Sequence, residues 1–350
     1  MLLPLTLSVL LRRGVHSSSS TSPLSSVLSL DAQRVHQRLR TDGARSVVLK
    51  KLQELSPLSS SERVEHQVET FYLPLYAYYR DLLQRHRAHH GAGTASAAPP
   101  LLVGISAPQG CGKTTLTTLL ELLFDLDEIS CLSCSLDDFY LTGEAQERLA
   151  SQHEGNALLQ YRGNAGTHDM GLLFSTFAQL SQNNAPRPAA LMIPRYDKSL
   201  RAGRGDRADP SQWRVLGAKP VDIVLFEGWM LGFEPLRATE ALSADLAQVN
   251  VYLQDYAKLH ALFDAWLLVA VDDVDHVFKW RLQAETSMGQ QGKARLSDQQ
   301  VQDFVSRFMP AYASYLPRLY QHGPPRRSPD VPVLKLLVNQ DRSVTRAETV

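Results

Sequence analysis

The spacing of apolar positions changes several times along the chain, and each change predicts an element. From Asp31 to about His90 they recur at helical spacing: Val35, Leu39, Val47, Val48, Leu49 and Leu52, then the aromatic-rich run Phe71 to Tyr79. Pro74 after Leu73 starts or kinks a helix that continues through Leu83. The small residues of 91–100 read as a linker, and a domain boundary is placed there. Beyond it, short continuous apolar runs alternate with amphipathic stretches. Leu101 to Val103, Ile129 to Leu136, Val221 to Phe226, Ala265 to Val271 and Val331 to Val338 read as buried strands. Leu116 to Phe124 reads as a helix, as does Phe304 to Tyr320, broken by Pro310 and Pro317. Alternating strands and helices predict an α/β fold. Its sheet is mostly parallel with helices on both faces, and ligands bind at the carboxyl ends of the strands. The chain thus divides into 1–30, a helical region 31–90, the linker 91–100 and a core 101–345.

Composition narrows the function classes. The 350 residues hold 36 basic and 36 acidic side chains, a formal net charge of zero. That balance argues against a nucleic-acid binder working through a strong positive field. No apolar run approaches the ~18–20 residues that span a bilayer. The 3 cysteines make no disulfide scaffold, so a reducing compartment is the default. Cys131 and Cys134 form a C-x-x-C, but residues three apart in a strand lie about 10 Å apart on opposite faces, beyond disulfide reach. They read as small core residues. Before Asp31 the chain has Arg12, Arg13 and His16, many serines and no acid, which matches an organelle transit peptide rather than a secretory signal. These residues do not separate a plastid from a mitochondrial address.

The chemistry begins after the first strand, in Gly104-Ile-Ser-Ala-Pro-Gln-Gly-Cys-Gly-Lys-Thr-Thr115. Ala107 to Thr114 fits the phosphate-binding loop G-x-x-x-x-G-K-[ST], with alanine in place of the first glycine. Gly110 and Gly112 let the backbone curl so that successive N–H groups face one anion. A helix starting near Lys113 adds its unpaired N–H groups and positive dipole end. Lys113 reaches the terminal phosphates and the Thr114 hydroxyl ligates Mg²⁺; Pro108, Gln109, Cys111 and Thr115 complete the loop. This motif predicts a bound nucleoside triphosphate with Mg²⁺ and leaves its use open.

Four further stretches suggest that use. Asp137-Asp138 ends a strand beside the loop, where either carboxylate could orient a hydroxyl and take its proton, or cap a turn. Gly155 to Asp169 has the composition of a substrate loop, with Asp169 also suited to capping the next helix. The segment Arg195 to Asp209 is charged and glycine-rich, either a solvated loop or an anion site. Glu227 closes the Val221 to Phe226 strand, where it can hold a Mg²⁺ shell. Lys279 to Arg295 reads either as a solvated helix or as a lid that brings Arg281 to the transferring phosphate.

These motifs, in order, are A-P-Q-G-C-G-K-T-T, S-L-D-D-F-Y-L-T, G-N-A-L-L-Q-Y-R-G-N-A-G-T-H-D, P-R-Y-D-K-S, G-R-G-D-R-A-D, F-E-G-W-M-L-G-F and W-R-L-Q-A-E. Their sequence closely resembles the plant-type D-glycerate 3-kinases from about Leu101 to Val338. The resemblance implies a P-loop nucleoside triphosphate hydrolase-type fold, grouped with uridine kinase, pantothenate kinase and phosphoribulokinase. It implies Asp137 as catalytic base, with Lys113 and Arg281 on the phosphates and Thr114 and Glu227 at the metal. It implies Tyr196 and Asp197 in the acceptor site. The reaction implied is transfer of the ATP γ-phosphate to the 3-hydroxyl of D-glycerate, a step of photorespiratory carbon recovery in the chloroplast stroma. An anionic acceptor needs a cationic clamp, for which Arg162, Arg195, Lys198 and Arg204 are candidates in no order. The glycine-arginine segment Arg201 to Asp209 departs from the wider group. Two rivals are a kinase for another small hydroxyl compound and a nucleotide-driven switch; the chain has no guanine-reading Asn-Lys-x-Asp segment.

Overall fold

The computed structural model describes residues 22–350 apart from 42, 58, 92–97, 182–190, 218, 238–241 and 291–294. The transit-peptide reading therefore lies outside the described residues over 1–21. So do most of the linker and Gly292 and Lys293 of the lid segment.

The N-terminal region is helical: α1 (Leu30–Thr41), α2 (Ala44–Leu55), α3 (Ser61–Gln67) and α4 (Leu73–Gly91). A π turn over Val68–Tyr72 joins α3 to α4. Pro74 is the second residue of α4, directly after the π turn, and the Thr70 carbonyl four residues back accepts from the Ser22 hydroxyl. Tyr76, Tyr79 and Leu83 are fully buried, and the Tyr76 ring meets Phe124 edge-on at 4.8 Å. These helices share one apolar core with a face of the sheet, so the composition shift at 91–100 joins two parts of a continuous core.

Next come β1 (Leu101–Ser106), α5 (Lys113–Leu126), β2 (Cys131–Ser135), α6 (Gly143–Gln152) and α7 (Met170–Ser181). Four short strands follow: β3 (Leu191–Ile193), β4 (Tyr196–Asp197), β5 (Asp206–Arg207) and β6 (Arg214–Leu216). They pair as two antiparallel ribbons, β3 with β6 and β4 with β5. The core resumes with β7 (Ile223–Gly228), α8 (Ala244–Leu253), α9 (Tyr256–His260), β8 (Ala265–Val271) and α10 (His276–Gln290). The chain ends with α11 (Asp298–Ser306), α12 (Met309–His322), β9 (Val333–Val338) and β10 (Val344–Thr349).

Among the described residues the main sheet runs β10-β9-β8-β1-β7-β2, parallel except for β10. Both of its faces are covered, which explains the unbroken apolar runs. Side chains alternate between the two cores: Leu101, Val103 and Ile105 of β1 face α1 to α5, while Trp266 and Leu268 of β8 face α6 to α12.

Three expectations change. Strand β10 and the two ribbons were not expected; β10 alternates charged and small residues as an exposed edge does. Pro310 does mark the break before α12, but Pro317 lies inside that helix. The lost backbone bond is tolerated there because Tyr312, Tyr315, Leu316 and Leu319 hold the helix in the core.

Candidate active site

The phosphate loop leaves β1 at Ala107 and enters α5 at Lys113. Gly110 and Gly112 have φ of 78° and 99°, values that a side-chain-bearing residue adopts with strain. A Cβ on Gly110 would also stand 2.7 Å from the Trp280 Cβ. Lys113 Nζ donates to the carbonyls of Ala107 (3.1 Å) and Pro108 (3.2 Å) and lies 4.0 Å from a Glu227 oxygen. The Gln109 N–H donates to the Tyr312 hydroxyl at 3.0 Å. Thr114 is exposed and Thr115 half-buried in the first turn of α5. Burial pushes the Cys111 thiol up, so it stays protonated. Left-handed glycines, a helix N-terminus and a lysine folded over the loop are a donor set that fits a polyphosphate.

Strand β7 lies between β1 and β2, and its register pairs Glu227 with Ile105 on one side and Ser135 on the other. The glutamate is thereby placed at the carboxyl ends of three parallel strands. Burial raises its carboxyl above the usual range, and the Lys113 charge works against that. Among the described residues no group of three or more His, Cys, Asp or Glu could hold a metal. Thr114 and Glu227 suit Mg²⁺, which takes few protein ligands and fills its shell with phosphate oxygens and water.

The Asp137-Asp138 pair divides its work. Strand β2 runs into a 3₁₀ turn, Leu136–Phe139, closed by a capping box. The Ser135 hydroxyl accepts from the Asp137 N–H, and Asp138 accepts from the Ser135 N–H (3.3 Å) and the Tyr196 N–H (3.4 Å). Asp138 is thus occupied with backbone, and burial raises its carboxyl. Asp137 turns the other way: it accepts from the Tyr140 hydroxyl at 2.9 Å and from Lys198 Nζ at 2.6 Å. Burial pushes its carboxyl up, but Lys198, then Lys113 and His168, outweigh this and hold it below the usual range.

Behind Asp137, the Tyr140 ring stacks on His168 at 4.5 Å. His168 Nδ1 meets the Tyr256 hydroxyl at 2.6 Å, and its buried Nε2 has no hydrogen-bond partner. Burial pushes the imidazole down to about 4, so it is neutral at pH 7. Arg207 donates to the Tyr140 carbonyl and to Asp169, while Asp169 caps α7 through the Leu172 N–H (2.9 Å). Sequence reasoning assigned no role to Tyr140, His168 or Arg207. For Tyr140 the signal was its place in D-D-F-Y; for the other two, pairing across the fold left none.

The remaining candidates separate. Tyr196 is buried with its ring against Tyr140 (5.2 Å), and the Arg162 guanidinium stands 5.6 Å over it. Arg162 also donates to the carbonyls of Gly203 and Arg204. Asp197 is taken up by a turn, accepting from the Ser199 N–H and hydroxyl. Arg195 is exposed. Arg204 lines a cleft of about 270 Å³ with Arg162, Arg201, Gln146, Glu147 and Tyr161. No phosphate-loop residue lines that cleft, so it lies beside the Asp137–Lys113 space and not in it. Arg281 is paired with the buried Glu285 of its own helix and packs on Phe304 (4.8 Å).

No protein-family model matches the chain. A chloroplastic D-glycerate 3-kinase of Arabidopsis thaliana is 40% identical over 326 residues, covering 92% of this chain and 70% of the relative. An uncharacterized kinase of Schizosaccharomyces pombe is 38% identical over 228 residues, 62% of this chain and 81% of its own. The solved D-glycerate 3-kinase of Cryptococcus neoformans superposes with a TM-score of 0.69 at 31% identity, over 79% of this chain and 99% of that one.

Proposed function

Because the chain belongs to the D-glycerate 3-kinase family, we propose that it transfers the γ-phosphoryl group of ATP to the 3-hydroxyl of D-glycerate, giving 3-phospho-D-glycerate. The observation that carries this reading is Asp137, an ionised carboxylate at the end of β2 whose charge is felt by both Lys113 and Lys198.

When bound, MgATP supplies the phosphoryl group and a metal that screens its charge. The N–H groups of the loop and Lys113 hold the phosphates, and Lys113 leaves the Ala107 and Pro108 carbonyls to do so. Thr114 and Glu227 would hold the Mg²⁺ shell. Asp137 orients the acceptor hydroxyl and takes its proton, with Tyr140 fixing the other carboxylate oxygen. D-Glycerate is a three-carbon acid, so a cation beside Asp137 can meet its carboxylate while Asp137 meets its hydroxyl. That favours Lys198 among the four candidates for the clamp. Arg281 can screen charge on the transferring group once it leaves Glu285.

The test is an ADP-release assay over D-glycerate, uridine, pantothenate and ribulose 5-phosphate; turnover with D-glycerate alone supports the reading, and turnover with another acceptor instead refutes it. For residues 1–30 we take a plastid address serving photorespiration, the compartment in the Arabidopsis relative's name. A fluorescent fusion of the full chain that collects in mitochondria or cytosol refutes that address.

A further inference from the structure

The turn between β9 and β10 reaches back to the phosphate loop, and one of its residues takes an unfavourable backbone to do so. Arg342 has φ of 60°, a left-handed conformation that costs a branched or long side chain about 1–2 kcal/mol and persists only where the surroundings impose it. The turn is held by its own hydrogen bonds. Asn339 Oδ1 accepts from the N–H groups of Asp341 and Ser343, each at 3.0 Å, and the Arg342 N–H donates to the Asn339 carbonyl at 2.9 Å.

From that turn, Arg342 Nε donates to the Gly110 carbonyl at 2.8 Å. A terminal nitrogen of the same guanidinium donates to Gln283 of α10 at 3.0 Å, and its plane stands 5.0 Å from the Trp280 ring. The neighbouring Gln340 adds two bonds to α10: its carbonyl accepts from the Trp280 indole at 2.7 Å, and its side chain accepts from Lys279 at 2.8 Å. On the far side, Arg63 of α3 donates to the Asp341 carbonyl. The turn therefore ties three things together: the N-terminal helices, the phosphate loop and the helix that carries Arg281.

In a planar trans peptide the C=O and the following N–H point in opposite directions. Holding the Gly110 carbonyl on Arg342 turns the Cys111 N–H to the other side of the loop. We propose that Arg342 is a positioning residue for nucleotide binding, holding the Gly110–Cys111 peptide so that its N–H faces the phosphates and fixing α10 over the loop. This rests on the ATP site of the proposed function and not on the identity of the acceptor. It also gives the N-terminal helices a task, through Arg63, in setting the loop.

The test is calorimetric titration of MgATP, without acceptor, into the full chain and its Arg342→Gln, Arg342→Lys and Arg342→Gly variants, with melting temperatures alongside. Loss of one charged hydrogen bond at the loop should weaken MgATP binding roughly tenfold in the Gln and Gly variants, with part of the affinity restored by Lys. The Gly variant relieves the left-handed strain, so it should melt no lower than the Gln variant while binding as weakly. Two results overturn the proposal: MgATP affinity of the Gly variant equal to the parent, or affinity that follows melting temperature across the three variants. Because no acceptor is present, a chain that phosphorylates something other than D-glycerate refutes the proposed function and leaves this inference standing.

Discussion

Lys198 Nζ lies 2.6 Å from Asp137 Oδ2, and this contact sets the charge state of the proposed base. Burial alone would drive the Asp137 carboxyl up; the ammonium reverses the sign. Removing it in Lys198→Met takes away the largest charge opposing burial and leaves only Lys113 and His168 against it, so the carboxylate protonates at higher pH. The acid limb of kcat/KM should then move to higher pH, and KM for D-glycerate should rise. An acid limb that stays in place would show that the ion pair does not govern the base.

Asp137 and Asp138 are adjacent yet should fail differently. Asp137→Asn should lose ~10²–10⁴ in kcat while melting like the parent. Asp138→Asn disturbs the bonds to the Ser135 and Tyr196 N–H groups, which should lower stability by about 0.5–2 kcal/mol and reduce kcat far less. Rates and urea melts of both variants decide; a crippled Asp138→Asn beside an active Asp137→Asn would exchange the two roles.

Gly110→Ala tests the loop backbone. It combines a φ of 78° with a Cβ that would press on Trp280, so about 1–2 kcal/mol of strain falls on the loop itself. MgATP titration should show weakened binding, and the apparent KM for ATP should rise more than that for D-glycerate. Wild-type affinity would mean that the loop tolerates a side chain there.

Acid should destabilise the chain through two buried neutral histidines. His168 is pushed down to about 4 and His260, which accepts from the Gly232 N–H at 3.0 Å, to about 3, both by burial. Below about 6.5 the unfolded chain binds protons at these positions that the folded chain does not. Stability should therefore fall as pH drops from 6.5 toward 4, by about 1.4 kcal/mol per pH unit for each histidine, with no contribution above 6.5. His260→Gln keeps an acceptor for Gly232 but removes one titration. Urea melts at several pH values should give it a shallower slope; an unchanged slope would exclude His260.

What the sequence made legible follows from how local each signal is. The phosphate loop, Glu227 and β8 are written in contiguous residues: a glycine-lysine pattern, a carboxylate after an apolar run, a run apolar throughout because both faces are covered. Helix α4 was legible for the same reason, from Pro74 and the aromatic run. The residues alone left Asp137 and Asp138 open and only the family resemblance pointed to Asp137, because what distinguishes their surroundings comes from Lys198 and from the Tyr196 N–H 58 residues away. Arg342 was equally hidden, since its partner Gly110 is 232 residues distant and nothing near it in the chain signals the contact. Strand β10 was missed because an exposed edge lacks the apolar run that marked the others. The arginine segment stays divided: Arg207 braces Tyr140 and Asp169, whereas Arg204 lines the separate cleft.

The most direct test of the central claim is the identity of the phosphorylated carbon. The chain, incubated with MgATP and D-glycerate, should give a product whose phosphorus couples in NMR to the two protons on carbon 3, in step with ADP release. Phosphorus coupled to the single proton on carbon 2, or ADP formed at the same rate with D-glycerate left out, would contradict the account.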